Sequence, residues 1–275
     1  MGEPTVWGMI DARPIVFPAP VQEMNAAFLE FSVPTEVARS LLPGDAFEVA
    51  ESVPGTAHAV VAAHEYRRGA WGPANTLELA VRARPTGESD DTTGVFLCDA
   101  PVSHQFIREA AKRTLGTPKK LEPVEVGTTE SDVSFTLAAG DERALTLRLP
   151  RVEAGGDPIP VKVLAYTYLD DEPYVMPFEM DVPTGVVEPG DVVVDVGTGW
   201  FADMLRALGM PRQPDRCTWG EGLTALFHLA TPLNKTDEAT RGVAELGPAR
   251  YPRCFYPGRR LAEASGAAGA AGATA

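Results

Sequence analysis

The residues in this chain best placed to do covalent chemistry are Lys119 and Lys120, its only two adjacent lysines. They follow Pro118 and lie between Leu115 and Leu121. A lysine ammonium is inert, and with an ordinary pKa of roughly 10.4 almost none is free amine at neutral pH. A second ammonium about 6 Å away, at an effective dielectric near 20, contributes roughly 2–3 kcal/mol of repulsion. That is about two pKa units, and burial lowers the value further. The pair therefore suits an amine nucleophile, Lys119, perturbed by Lys120 and able to attack a carbonyl. It also suits a solvated basic turn, because cations are favoured at a helix C-terminus.

The elements that must deliver the pair are readable on either side of it. Ser103 is a good N-cap, and Phe106, Ile107, Ala110, Ala111, Thr114 and Leu115 keep helical spacing after it. Gly116 stands where a C′ glycine belongs, and Pro118 forbids continuation. Lys119 thus follows a helix stop in an extended segment, where residues 119 and 120 point to opposite faces. Only one lysine can face a cavity.

Upstream, strand follows strand with short connections, a pattern of antiparallel sheet rather than alternating βαβ units. Residues 1–20 are proline-rich and read as an extended arm. Ala26–Val33 reads as a strand. Thr35 caps a short helix, Glu36–Leu42, ended by Pro43-Gly44. Strands follow at Ala57–Tyr66, Asn75–Arg84 and Gly94–Cys98, with a polar loop at Pro85–Thr93. Val124–Leu149 holds two or three more strands. Residues 151–190 alternate apolar runs with Pro and Asp turns, and Glu221–Ala230 reads as a helix leading into Thr231-Pro232-Leu233-Asn234. Residues 264–275 hold only small residues and read as a disordered tail behind a single domain, 1–263.

Composition limits what else the chain does. A net charge of −14 argues against nucleic acid and against an anionic membrane surface. Cys98, Cys217 and Cys254 are odd in number and widely spaced, which fits a reducing, cytoplasmic setting rather than a disulfide framework. No long apolar run suggests a membrane span. No metal-ligand spacing or phosphate loop is visible, so neither metal nor nucleotide cofactor is expected. Glu188 to Trp200 looks like the first motif of class I methyltransferases. However, Trp200-Phe201 fills the third glycine position and no acidic strand end follows, so a Pro-Gly turn entering a buried strand is the better account.

Pro118-Lys119-Lys120-Leu121 after a helix resembles the aromatic-Pro-Lys-Lys-Leu segment of acetoacetate decarboxylases, with Thr117 in the aromatic's place. The strand, short helix and Leu41-Leu42-Pro43 near the N-terminus resemble the family too, as does Thr231 to Asn234. Activation of a lysine by a neighbouring cation is described for acetoacetate decarboxylase itself, and its magnitude is carried over with the resemblance. The resemblance implies an α+β, β-rich fold: a curved antiparallel sheet closing toward a cone-shaped barrel, with a few outer helices and a central cavity. It implies Lys119 as the Schiff-base lysine, no cofactor, a small carbonyl substrate and association into homo-oligomers.

The departures from the family bear on the substrate. Gly72-Pro73-Ala74-Asn75-Thr76 matches its Gly-Pro-x-x-Glu, so Thr76 occupies the glutamate position. Glu78, two residues on, shares that strand face; it reads equally as a solvent-facing strand residue. Met24 falls where the decarboxylase carries an active-site arginine, and Ala111-Lys112-Arg113 replaces Gly-Arg-Glu. Without that carboxylate and arginine, acetoacetate becomes a poor substrate, and a larger, more apolar one, of secondary metabolism, is expected. Lys119, Lys120 and Glu78 are the catalytic candidates. Thr76, Met24, His104 and Gln105 are the substrate-binding candidates, with His104 and Gln105 as proton shuttles beside Glu78 and Thr76. The expected activity is a carbon–carbon lyase: imine-based decarboxylation, or aldol or dehydration chemistry through the same intermediate. The alternative is a cavity that binds or cyclises an apolar metabolite without covalent catalysis.

Overall fold

The computed structural model describes residues 5–140 and 142–233. The low-complexity tail, Asn234 and Cys254 lie outside them. Seven strands form the framework: β1 (Ala19–Pro34), β2 (Thr56–Gly69), β3 (Ala74–Pro85), β4 (Gly94–Val102), β5 (Ile159–Leu169), β6 (Glu172–Val182) and β7 (Arg216–Phe227). Each pairs with the next, and β7 returns to pair with β1, so the sheet closes into a barrel. All the pairings are antiparallel except β4 with β5, which meet in parallel only at Val95–Ala165 and Phe96–Tyr166. Gly94 makes that approach possible, because a Cβ there would sit 2.1 Å from the Leu164 carbonyl oxygen. This is the curved, β-rich sheet closed into a barrel that the sequence led us to expect.

Period-two alternation divides each wall strand between two environments. On β1, Met24, Ala26, Phe28 and Glu30 face the lumen, while Ala27, Leu29, Phe31 and Val33 face outward into a second core. That outer core is covered by a four-stranded antiparallel sheet, Val124–Thr128, Asp132–Ala139, Glu142–Pro150 and Val193–Val196. With both faces covered, the barrel strands read as nearly unbroken apolar runs.

Among the described residues three α-helices lie outside the barrel: α1 (Thr35–Arg39), α2 (Gln105–Leu115) and α3 (Trp200–Ala207). α1 is shorter than its pattern suggests, and Thr35 is its first residue rather than a side-chain cap. Ser103 does not cap α2 either. Its hydroxyl accepts from the Asn75 amide at 2.8 Å, tying the helix entry to β3. The cap passes to His104, whose Nδ1 accepts from the Phe106 amide.

Three other expectations are corrected. The proline-rich start is a hairpin, Thr5–Ile10 with Arg13–Phe17, turned by Asp11 and Ala12 at positive φ. Where a helix was expected at Glu221–Ala230, residues 221–227 are instead the second half of β7. Gly220 and Gly222 oppose helix, and Leu223, Ala225 and Phe227 alternate toward the lumen. A short apolar run buried on both faces does not reveal its own period. The methyltransferase-like run becomes a 3-10 turn and an antiparallel edge strand before α3, where Val193 is exposed rather than buried. No described helix is long and apolar enough to cross a membrane.

Candidate active site

Lys119 reaches the lumen through a gap in the barrel wall. β4 touches β5 only near Val95 and Phe96, which leaves its far half without a neighbour on that side. α2 runs across the gap and stops at Gly116, in the left-handed conformation at φ 63°. A Cβ on Gly116 would lie 2.8 Å from the Tyr168 carbonyl oxygen, so the stop needs glycine for space as well as for φ. The segment Lys119–Leu121 then pairs in parallel with Ala100–Val102 and fills the empty edge of β4. The helix stop read from the sequence is thus the device that threads the lysine into the wall.

The two lysines diverge. Lys119 points inward with a side chain only 8% exposed, and Lys120 points away with 46% exposed. Lys119 Nζ donates to Glu78 Oε1 at 2.7 Å and to Thr76 Oγ1 at 3.1 Å. Thr76 in turn donates to the Pro101 carbonyl at 2.7 Å, so its hydroxyl is fixed between wall and amine. Lys120 Nζ is bound to Asp99 at 2.6 Å and sits 3.3 Å from the centre of the Trp200 ring. The charge expected to repel Lys119 is therefore largely spent on a buried carboxylate.

Burial alone would raise the Glu78 carboxyl, but Lys119 and His64 outweigh it and hold the group below its ordinary range. His64, buried between Glu78 and Tyr66, is pushed down by desolvation, against the pull of Glu78. Its Nδ1 has no hydrogen-bond partner among the described residues. Tyr66 stacks on it and is pushed well up by burial and by Glu78. Asp99 is raised by burial in spite of its bond to Lys120.

The cavity in front of Lys119 holds about 140 Å³ and is drawn out along the barrel axis, from Trp71 and Ile107 to Arg82 and Glu30. Between these ends its wall is almost wholly apolar, with Phe28, Ala62, Leu97, Val163 and Met180 contributing. Met24 lies in the wall, 1% exposed. His104 and Gln105 do not reach the cavity: the His104 ring is committed to capping α2, and Ile107, Ala111 and Leu115 form the lumen face of that helix. The polar side chains bonded to Lys119 are Glu78 and Thr76, with His64 within electrostatic reach. His64 could have been read from alternation, since its strand places it inward beside Ala62 and Tyr66. Among the described residues, no group of three His, Cys, Asp or Glu side chains is arranged to hold a metal.

No protein-family model matches the chain, and no curated protein matches it in sequence. Solved structures do. The crystal structure of acetoacetate decarboxylase from Legionella pneumophila aligns with a TM-score of 0.58 at 13% identity, over 79% of this chain and 88% of that one. An acetoacetate decarboxylase-like enzyme from Sphingomonas wittichii aligns with a TM-score of 0.51 at 13% identity, over 82% and 98%. The enduracididine biosynthesis enzyme MppR, complexed with the condensation product of pyruvate and imidazole 4-carboxaldehyde, aligns at 0.50 and 12% identity, over 84% and 95%. The chain has the acetoacetate decarboxylase-like fold.

Proposed function

We propose that this protein is a Schiff-base-forming lyase acting on a small, largely apolar keto acid or related carbonyl compound. One observation carries the reading: a buried lysine amine, hydrogen-bonded to one carboxylate and one hydroxyl, faces an apolar cavity. The chemistry follows from that contact. Glu78 takes a proton from the Lys119 ammonium across 2.7 Å, leaving an amine that attacks the substrate carbonyl. The protonated Glu78 then returns a proton to the carbinolamine oxygen, and water leaves as the iminium forms. The iminium accepts the electron pair released when carbon dioxide departs from the adjacent α-carbon, the resulting enamine takes up a proton at that carbon, and hydrolysis frees the ketone and the Lys119 amine. Thr76 holds Nζ on line. Lys120 acts by position, anchoring the strand to Asp99 and Trp200. The protein's similarity in fold to decarboxylases and to an enzyme solved with an aldehyde condensation product supports this reading. The apolar wall and Met24 favour a substrate less polar than acetoacetate.

Carbon dioxide release from 3-oxo acids with four to eight carbons tests it. Activity is expected to favour the longer members and to fall at least 10³-fold in Lys119→Ala. Unchanged turnover in that variant overturns the proposal.

A second reading, in which the cavity binds or cyclises an apolar metabolite without an imine, is favoured by the Lys120–Asp99 pair, which takes away the cation expected to activate Lys119. Retention of activity in a folded Lys119→Met protein would select it.

A further inference from the structure

The lumen wall has two unlike arcs. On the four contiguous strands β6, β7, β1 and β2 it carries a chain of rings in mutual contact. Phe178 and Phe227 are directly opposed on β6 and β7 and stack with centroids 5.6 Å apart. Phe227 meets Tyr66 of β2 edge-on at 6.4 Å, and Tyr66 stacks on His64 at 5.5 Å. His64 then meets Phe28 of β1 edge-on at 5.4 Å. All five rings line the cavity. On the other arc, β3 to β5, the lumen residues Ala80, Val95, Leu97 and Val163 bear no ring. His64 lies opposite Thr76, the residue that holds the Lys119 amine, so the chain of rings runs to the reactive end of the cavity.

Phe28, Tyr66, Phe178 and Phe227 each keep part of their surface accessible, whereas rings that only fill a core are covered by their neighbours. Any apolar ligand gains by covering that surface in proportion to its area. A flat aromatic ligand gains more, because the chain offers it both ring faces and ring edges. Each offset-stacked or edge-to-face pair adds roughly two- to twelvefold in affinity beyond the area it buries. The cavity of about 140 Å³ is close to the roughly 150 Å³ of an apolar cavity known to bind benzene, so it takes one ring with a short arm. We propose that the Phe178–Phe227–Tyr66–His64–Phe28 arc is a subsite for an aromatic ring of the ligand, so that the compound presented to Lys119 is an aryl-substituted carbonyl compound. The carbonyl at Lys119 rests on the proposed lyase reading; the ring subsite does not.

The test therefore uses ligands with no carbonyl. Calorimetric titration of the full-length protein with benzyl alcohol and cyclohexylmethanol compares a flat ring with a puckered, saturated one on the same short arm. The saturated alcohol is the more hydrophobic of the two, so burial alone favours it. Benzyl alcohol is nevertheless expected to bind more tightly, by about threefold or more. That ratio is expected to fall by at least half in Phe227→Leu, which removes the ring joining Phe178 to Tyr66. A wild-type ratio below about threefold, or no binding of either alcohol at millimolar concentration, overturns the proposal whether or not the variant folds. A smaller fall in a folded Phe227→Leu protein overturns it as well. Neither result touches Lys119: loss of imine trapping with an intact ring preference would remove the lyase reading alone.

Discussion

Glu78 and Glu30 face one lumen, and similar burial leaves them in opposite states. Glu78 meets an ammonium at 2.7 Å, and with His64 beside it the attraction exceeds the cost of desolvation, so it stays ionised below its ordinary range. Glu30 is raised because burial dominates, against the opposing pull of Arg82 and Arg216. The difference lies in contact rather than in net charge: a hydrogen-bonded cation offsets desolvation, and a cation merely in the neighbourhood does not. The Lys119 end of the cavity holds its opposite charges in direct contact.

The most severe way to break the contrast is to remove the contact. Glu78→Leu leaves the Lys119 ammonium buried and alone, and is expected to cost roughly 3–5 kcal/mol in denaturant unfolding. The double variant Glu78→Leu with Lys119→Met should recover most of that loss, because replacing both charges with apolar groups is often neutral. A single-variant cost below about 1 kcal/mol would mean that the pair is effectively solvated.

Next in size is the hinge that delivers the lysine. Gly116→Ala forces a Cβ into the left-handed region and against the Tyr168 carbonyl, for an expected loss of roughly 2 kcal/mol or more. Thermal melting measures it, and displacement of Lys119 should also lower the yield of imine trapping.

The pH dependence of stability separates the two carboxylates more finely. Glu78 has a depressed pKa in the folded state, so its contribution is present above the ordinary carboxylate range and is lost as pH falls through the folded value. The acid limb of a stability–pH curve should flatten in the Glu78→Leu, Lys119→Met protein. Glu30 is raised, so its contribution is present below its ordinary value of about 4.5 and lost as pH rises through the folded value. Glu30→Gln is therefore expected to raise the melting temperature at pH 7 by about 1–3 °C, the smallest of these effects, with the gain shrinking toward pH 4. A gain that persists unchanged at pH 4 would indicate packing rather than charge.

Much of this arrangement was legible in the sequence. The Gly116-Thr117-Pro118 stop announced where α2 ends, and alternation placed Glu78 on the face of Thr76. The pairing that matters, Lys119 with Glu78 and Thr76, joins positions more than forty residues apart in sequence, and no local pattern specifies it. Asp99 was invisible as the partner of Lys120 for the same reason. β7 was misread because a strand buried on both faces shows no clean period, and its glycines mark a bulge rather than a loop. His104 looked like a shuttle from its place next to the lysine helix, but a helix start without a serine cap needed its ring. Glu30 lay in plain view within Ala26–Val33, on the same strand face as Met24 and Phe28, yet a lone acid in a strand gives no sign of which side is dry.

The proposed chemistry requires the Lys119 nitrogen to attack a carbonyl. Incubation with an apolar aldehyde and borohydride, followed by peptide mapping, reads this directly. The reduced adduct is expected on Lys119 alone, in near-stoichiometric yield, and should vanish in the Lys119→Ala protein. Adducts scattered over exposed lysines, with Lys119 unmodified, would contradict it.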